Sequence, residues 1–193
     1  MSTVKSKKLQ VGTDATATNN FTIYQPATPD GTLRIGVGNA DSPTEVGRFN
    51  SNGYVPTNAP AFSAYLSVSQ SLTGGVTTKI AFDAEQFDLT SDYDSTTNYR
   101  FTPSVEGYYQ VNVSLYVDLA GRGFVRLYKN GSQELNMGDI NSTNTRIVNG
   151  SALVYMNGTT DYLEVYGWRE TTGNINGGQA SENQFSAFLA RGA

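Results

Sequence analysis

The run YDSTTNYRFTPSVEGYYQVNVSLYV, residues 93–117, decides how the chain is read. From Gly107 onward it alternates. Tyr109, Val111, Val113, Leu115 and Val117 fall on one side of an extended strand, and Tyr108, Gln110, Asn112, Ser114 and Tyr116 on the other. Successive side chains of a strand point to opposite faces, so the first set reads as the core face of a sheet. The second set is polar in its middle and carries tyrosine at both ends, which is more aromatic than water alone requires. Pro103 cannot donate to a ladder and ends pairing upstream of the strand.

The same grammar recurs along the chain. Thr78–Phe82 alternates with Ile80 and Phe82 inward, and FVRLY (124–128) runs into Lys129-Asn130-Gly131-Ser132, a type I′ hairpin signal. ALVY (152–155) and DYLEVY (161–166) flank Asn157-Gly158, while FSAFL (185–189) closes the chain after AFSAY (61–65) opens this part. Helical periodicity is absent, and many short strands at this spacing predict an all-β sandwich or jelly roll. The composition boundary falls at PTNAP (56–60), which separates residues 1–58 from residues 59–193. In the first part, short apolar pairs such as Leu9/Val11, Phe21/Ile23 and Leu33/Ile35 are separated by polar turns. Fifty-eight residues this poor in large apolar side chains do not hold a private core, so neighbouring copies are expected to bury what one copy leaves open.

Composition excludes much chemistry. The 193 residues include no Cys and no His, which removes disulfides, thiolate nucleophiles, the commonest general base and the commonest transition-metal ligand. A net charge of −4 gives no reason to expect nucleic-acid binding. No apolar run is long enough to span a membrane, and MSTVKSKK has no apolar stretch of a secretory signal, so synthesis in the cytoplasm without membrane insertion is expected. Gly36-Val37-Gly38 lacks the third glycine and the helix of a dinucleotide site. No cofactor is expected, and no enzyme activity.

Beyond these readings, the order of AFSAY, TKIAF, YDSTTNYRFTPSVEGYYQV, VRLYKNG, DYLEVYG and FSAFL resembles the complement globular-head family, related to tumour necrosis factor, over about residues 61–190. The chain departs from that pattern at Thr160-Asp161, where Gly-Asp is usual, and at Gln110-Val111. The resemblance implies a jelly-roll head that assembles as a homotrimer, one sheet of each copy facing the three-fold axis. DGTLRIGVGNADSPTEVGRFNSNGYV (30–55) is similar to the leaders of tailed-bacteriophage fibre and head-decoration proteins. Together the two imply a protein on the virion surface. It would be a fibre or spike contributing to host attachment, or else a decoration or cement protein of the head shell. Its partners would be its own copies, a capsid or tail protein at the N-terminal segment, and a host glycan or protein. A carbohydrate-active enzyme fused to a fibre leader is the reading from a different class.

Four sets of candidate residues follow. The trimer interface is expected at Tyr108, Gln110, Asn112, Tyr116, Tyr162, Tyr166 and Phe188, on the premise that the three strands share one sheet; interfaces concentrate aromatic residues. Solvent-facing tyrosines on an ordinary sheet are the plainer alternative. Virion anchoring is assigned to Lys5, Lys7, Lys8, Leu9 and Val11, against the alternative of a solvated tail. Trp168 and Arg169, at the edge of the Gly/Asn/Ser-rich segment 171–184, are candidate ligand contacts, with 136–150 read as a second loop of that kind. Asp92 and Asp94 are a weak calcium alternative to simple turn capping, since hard cations take clustered oxygens.

Overall fold

The computed structural model describes residues 8–16, 19–57, 59–117, 121–142 and 146–193. The chain divides into two compact units, Met1–Asn58 and Ala59–Ala193.

The first unit is a single five-stranded antiparallel meander, β1 (Lys8–Val11), β2 (Phe21–Tyr24), β3 (Leu33–Val37), β4 (Thr44–Asn50) and β5 (Gly53–Pro56), paired in chain order. The Asn-Gly signal sits at the tight β4–β5 turn and the Asp-Gly signal near the end of the longer β2–β3 connection, and Gly53 and Gly31 take positive φ there. Asp30 accepts from the Thr32 amide at 3.0 Å and fixes the entry to β3. One face carries charges joined in a network. Arg34 bridges Asp30 (2.5 Å) and Glu45 (3.0 Å), and Arg48 meets Glu45 at 2.5 Å. Among the described residues of this unit, no hydrophobic side chain is buried.

The second unit is a two-sheet sandwich built from β6 (Ala61–Tyr65), β7 (Gln70–Leu72), β8 (Thr78–Lys79), β9 (Ala84–Asp88), β10 (Tyr93–Asp94), β11 (Arg100–Phe101), β12 (Glu106–Val117), β13 (Gly121–Lys129), β14 (Ser132–Ser142), β15 (Arg146–Asn157), β16 (Leu163–Arg169), β17 (Gly173–Ile175) and β18 (Gln184–Gly192). A seven-stranded sheet runs β7-β17-β12-β18-β6-β9, with β15 also paired along β12. A six-stranded sheet runs β10-β11-β16-β13-β14, with β8 on β16. The architecture is the all-β jelly-roll sandwich expected. The opening strand is β12, which pairs with β15 over its whole length and with β18 on the other side. Its alternation is uninterrupted by Pro or by interior Gly, so it serves as the spine of its sheet. The β13–β14 hairpin turns at Asn130 and Gly131, both at positive φ, as a type I′ turn requires.

The expected inward residues line the core. Tyr109, Val111, Val113, Leu115 and Val117 are all buried, as are Ile80 and Phe82. At the sandwich centre the Phe62 ring stacks on Tyr93 (4.7 Å between centroids) and Phe101 (4.5 Å) and meets Phe185 edge-on at 5.0 Å. This cluster ties β6 and β18 of one sheet to β10 and β11 of the other. Two tyrosines belong to the core because their polar tips find partners. The Tyr93 hydroxyl donates to the Phe82 carbonyl (3.0 Å), and that of Tyr109 to the Val105 carbonyl (2.7 Å). Burial raises the pKa of both phenols above the ordinary tyrosine value. Segment 136–150 corrects the loop reading. Its described residues belong to β14, paired with β13 in one sheet, and β15, paired with β12 in the other, and the Gly/Asn composition hid their strand character.

Removing the hub ring leaves a cavity that both sheets border. Phe62→Ala is expected to cost about 3–5 kcal/mol of stability, read as a lower urea midpoint with unchanged slope.

Candidate functional site

With the core face of β12 accounted for, its outer face can be followed across the sheet. Register places Tyr108 opposite Tyr155, Gln110 opposite Leu153, Asn112 opposite Ser151, and Tyr116 opposite Ile147 on β15. On the other side, Gln110 lies opposite Phe188 and Asn112 opposite Ser186 of β18. The outer surface therefore has a polar centre and apolar ends. Leu153 is 59% exposed, Phe188 48% and Tyr108 44%, with Ile147 and Tyr155 also exposed. The Tyr108 and Tyr155 rings lie 5.6 Å apart, and the Tyr155 hydroxyl donates to Glu106 at 2.5 Å. That hydrogen bond to a carboxylate, the largest cause, raises the Tyr155 pKa.

The polar centre is organised within the chain. The Gln110 amide donates to Ser151 Oγ at 2.7 Å, and Ser151 donates to Asn112 at 3.1 Å. Ser114 donates to the Glu182 carbonyl (3.0 Å), while Gln184 reaches Ser63 (2.8 Å) and Gln86 (3.1 Å). Gln110 and Asn112, assigned to the interface, have side-chain partners within the chain, as does Ser114. Asn112, Ser114, Asn149, Ser151 and Gln184 border an open depression of about 320 Å³.

The premise that three strands share this sheet is corrected at β16. Tyr166 lies on the six-stranded sheet, and Tyr162 just precedes β16, so neither shares the face of Tyr108 and Phe188. The physical reason is pairing: β16 runs between β13 and β11, and its alternation alone could not say which sheet it would join. Tyr166 packs on Tyr128 (4.1 Å) there, and the Arg100 guanidinium sits 4.4 Å over the Tyr162 ring. Glu164, on the same face as Tyr166, is only 4% exposed and is held by Lys79 Nζ at 2.5 Å. The residues missed from sequence are Ile147, Leu153 and Tyr155. Both faces of β15 are apolar at its ends, with Val148, Val154 and Met156 buried on the other side. That double alternation was the available signal.

Trp168 and Arg169 are also re-placed. Both end strand β16 and lie outside any loop. Trp168 stacks flat on Phe124 (5.0 Å, 6° between planes), and the Arg126 guanidinium lies 3.6 Å over the far ring. Arg169 is 3% exposed and faces inward, which removes it as a ligand contact. A Cβ on Gly173 would press on its guanidinium at 2.9 Å, so the bare glycine leaves room for it. Of the anchor residues, Lys5 and Lys7 lie outside the described residues, while Leu9 and Val11 are exposed on the apolar face of the first unit. Lys8 Nζ donates to the Asp41 carbonyl at 3.2 Å.

Asp92 and Asp94 do not form a cation cage. Asp94 accepts from the amides of Thr96 (3.0 Å), Thr97 (2.9 Å) and Asn98 (3.1 Å), whereas Asp92 accepts from the Thr90 hydroxyl at 2.6 Å and Ser104 at 3.3 Å. Among the described residues no three acidic side chains converge on a common point. Asp94 takes the turn-capping role set beside calcium in the sequence reading, and Asp92 is held by two hydroxyls.

A two-sheet antiparallel jelly roll with one outer face left apolar at its ends defines a globular head of the kind found in complement and tumour-necrosis-factor proteins. Residues 61–190 match the C1q domain, and the chain belongs to that family. The fold is similar to the globular domain of zebrafish complement 1qA, at 20% identity and TM-score 0.53, over 69% of this chain and 99% of that one. It is also similar to murine APRIL (7% identity, TM-score 0.52, over 68% of this chain and 98% of that one). A third likeness is to the Eiger TNF of S. frugiperda (11%, TM-score 0.50, 70% of this chain and 93% of that one). No curated protein matches the chain.

The Asp94 cap gives a pH test. Backbone hydrogen bonds from Thr97 and Thr96, the largest causes, lower its pKa below 3.8. A depressed carboxylate contributes stability in full above its ordinary value and loses it as pH falls through the folded value. The Thr96 and Thr97 amide resonances should therefore hold steady through pH 4 and move only in stronger acid. Millimolar calcium at neutral pH should not move them; a calcium-dependent shift would restore the metal reading.

Proposed function

We propose that the protein is a non-enzymatic structural protein of a bacteriophage particle, displayed on the virion surface as a homotrimeric spike that contributes to host attachment. The observation that carries the oligomeric part is the outer face of the seven-stranded sheet. Tyr108, Leu153, Tyr155 and Phe188 are exposed together at one end of it, and Ile147 at the other, on strands that are otherwise well packed. Monomers rarely leave a contiguous apolar patch of several hundred Å² to water, and cyclic closure buries identical patches on every copy. Membership of the C1q family, whose heads resemble this one, favours three copies. The virion part rests on the leader, DGTLRIGVGNADSPTEVGRFNSNGYV, and its likeness to phage fibre and decoration leaders.

Attachment falls to the other sheet. Its outer face carries Phe124, Trp168, Arg126, Tyr128 and Tyr166, a strip of half-buried rings with a guanidinium in its midst. Such rings contact sugars or peptides at little entropic cost. Three heads on each spike turn weak contacts into avidity. A cement role on the head shell is the second reading, favoured if the same strip touches a neighbouring capsid protein.

The test pairs assembly with adsorption. Leu153→Asp and Phe188→Asp should each weaken the assembly by about 2 kcal/mol or more, shifting the sedimenting mass from three chains toward one. Tyr166→Ser, on the opposite sheet, should leave the mass unchanged. Trp168→Ala should keep the trimer and reduce host-cell binding at least tenfold. Unimpaired cell binding together with capsids that lose heat resistance when the protein is absent would select the cement reading. Release of reducing sugar from host polysaccharide would bring an enzyme back.

A further inference from the structure

The five-stranded sheet of the first unit presents a second uncovered face, distinct from any on the head. Register sets Leu9 opposite Ile23, Val11 opposite Phe21, Leu33 opposite Phe49, and Phe49 opposite Tyr54, so these side chains lie on one side of the sheet. Leu9 (60%), Val11, Phe21, Leu33, Phe49 and Tyr54 are all exposed. No charged residue shares that side; Arg34, Glu45 and Arg48 form their ion pairs elsewhere in the unit, off this face. Tyr54 lies over Gly47, where any Cβ would collide with its ring, and reaches Phe49 at 5.3 Å, so the face is smooth and aromatic at one end.

We infer that this face is covered by the same face of other copies of the chain, so that the first unit is a self-association module in its own right. Three observations select further copies over a virion protein as the occupant. The first is stability: with no buried hydrophobic side chain among its described residues, a single-layer sheet does not stay folded while it waits for a partner. Copies of the same chain are present from synthesis, whereas a virion surface is met only at assembly. The second is area. The six exposed side chains offer on the order of 600 Å², close to the roughly 800 Å² that each partner gives to a stable interface. The third is composition: an uncharged face whose polar strand residue is Thr44 at its edge is typical of permanent interfaces, and recognition surfaces met late keep a charged rim. Leu9 and Val11 then act between copies, and any contact with the particle uses other parts of the unit. The inference does not depend on how the head assembles; the number of copies would follow the head where the head is trimeric.

Photo-crosslinking of the full chain separates the two interfaces. Benzoylphenylalanine replaces Phe49 in one variant, Leu153 in a second, and Tyr24, off the apolar face, in a third. A Phe49 adduct joining two copies, with both crosslinked peptides inside residues 8–56, is the expected result; the Tyr24 variant should give at least tenfold less. A Leu153 adduct without a Phe49 adduct would overturn this inference and leave the head assembly standing. A Phe49 adduct without one at Leu153 would do the reverse. A Phe49 variant that joins only a different virion protein, when irradiated on whole particles, would also overturn it. Circular dichroism of each variant, matched to the parent strand signal, shows that the sheets remain formed.

Discussion

A strand has two faces, and a sandwich has room inside for only one of them. In β12 and β15 both faces are apolar at their ends, so burying Val111, Leu115, Val154 and Met156 in the core commits Tyr108, Ile147, Leu153 and Tyr155 to the outside. The commitment is rigid because side-chain direction alternates with period two and twelve register pairs lock the strands together. The first unit meets the same constraint in a starker form: a single layer has no inner side at all. Each unit thus carries one uncovered apolar surface.

The two sheets of the head present outer faces of different character. The outer face of the seven-stranded sheet has a polar centre in which Gln110, Ser151 and Asn112 are hydrogen-bonded in series and Gln184 is held by Ser63, so its geometry is fixed. A fixed polar centre and apolar ends suit contact between copies. The six-stranded sheet is different in texture. Phe124, Trp168, Arg126, Tyr166 and Tyr128 stack against one another, and Glu164 is buried beneath with Lys79 as its counter-charge. Losing that lysine would strand a carboxylate in a dry place, so the pair holds β8 to β16.

Much of the fold was legible because it depends on local pattern. Alternation in 107–117 gave the spine of the sandwich, Asn130-Gly131 gave a hairpin, and the motif order gave the family. The low apolar content of residues 1–58 announced a sheet without a core. What sequence could not carry was non-local pairing. Nothing in DYLEVYGWR says that its partner is 124–128, so Tyr162 and Tyr166 were grouped with a face they do not share. Arg169 read as a loop-edge residue because composition does not show that Gly173, four residues on, leaves the gap that receives its guanidinium. Asp92 and Asp94 read as possible ligands, whereas Asp94 caps the amides of 96–98 and Asp92 accepts from the Thr90 and Ser104 hydroxyls.

On the proposal made above, one copy of this chain is incomplete. Sedimentation equilibrium of the unmodified protein at micromolar concentration is the sharpest test. A single species of three chain masses, unchanged on tenfold dilution, is the result expected of apolar faces closed on one another. A stable, soluble species of one chain mass, with the strand signal of both units intact, would contradict the account.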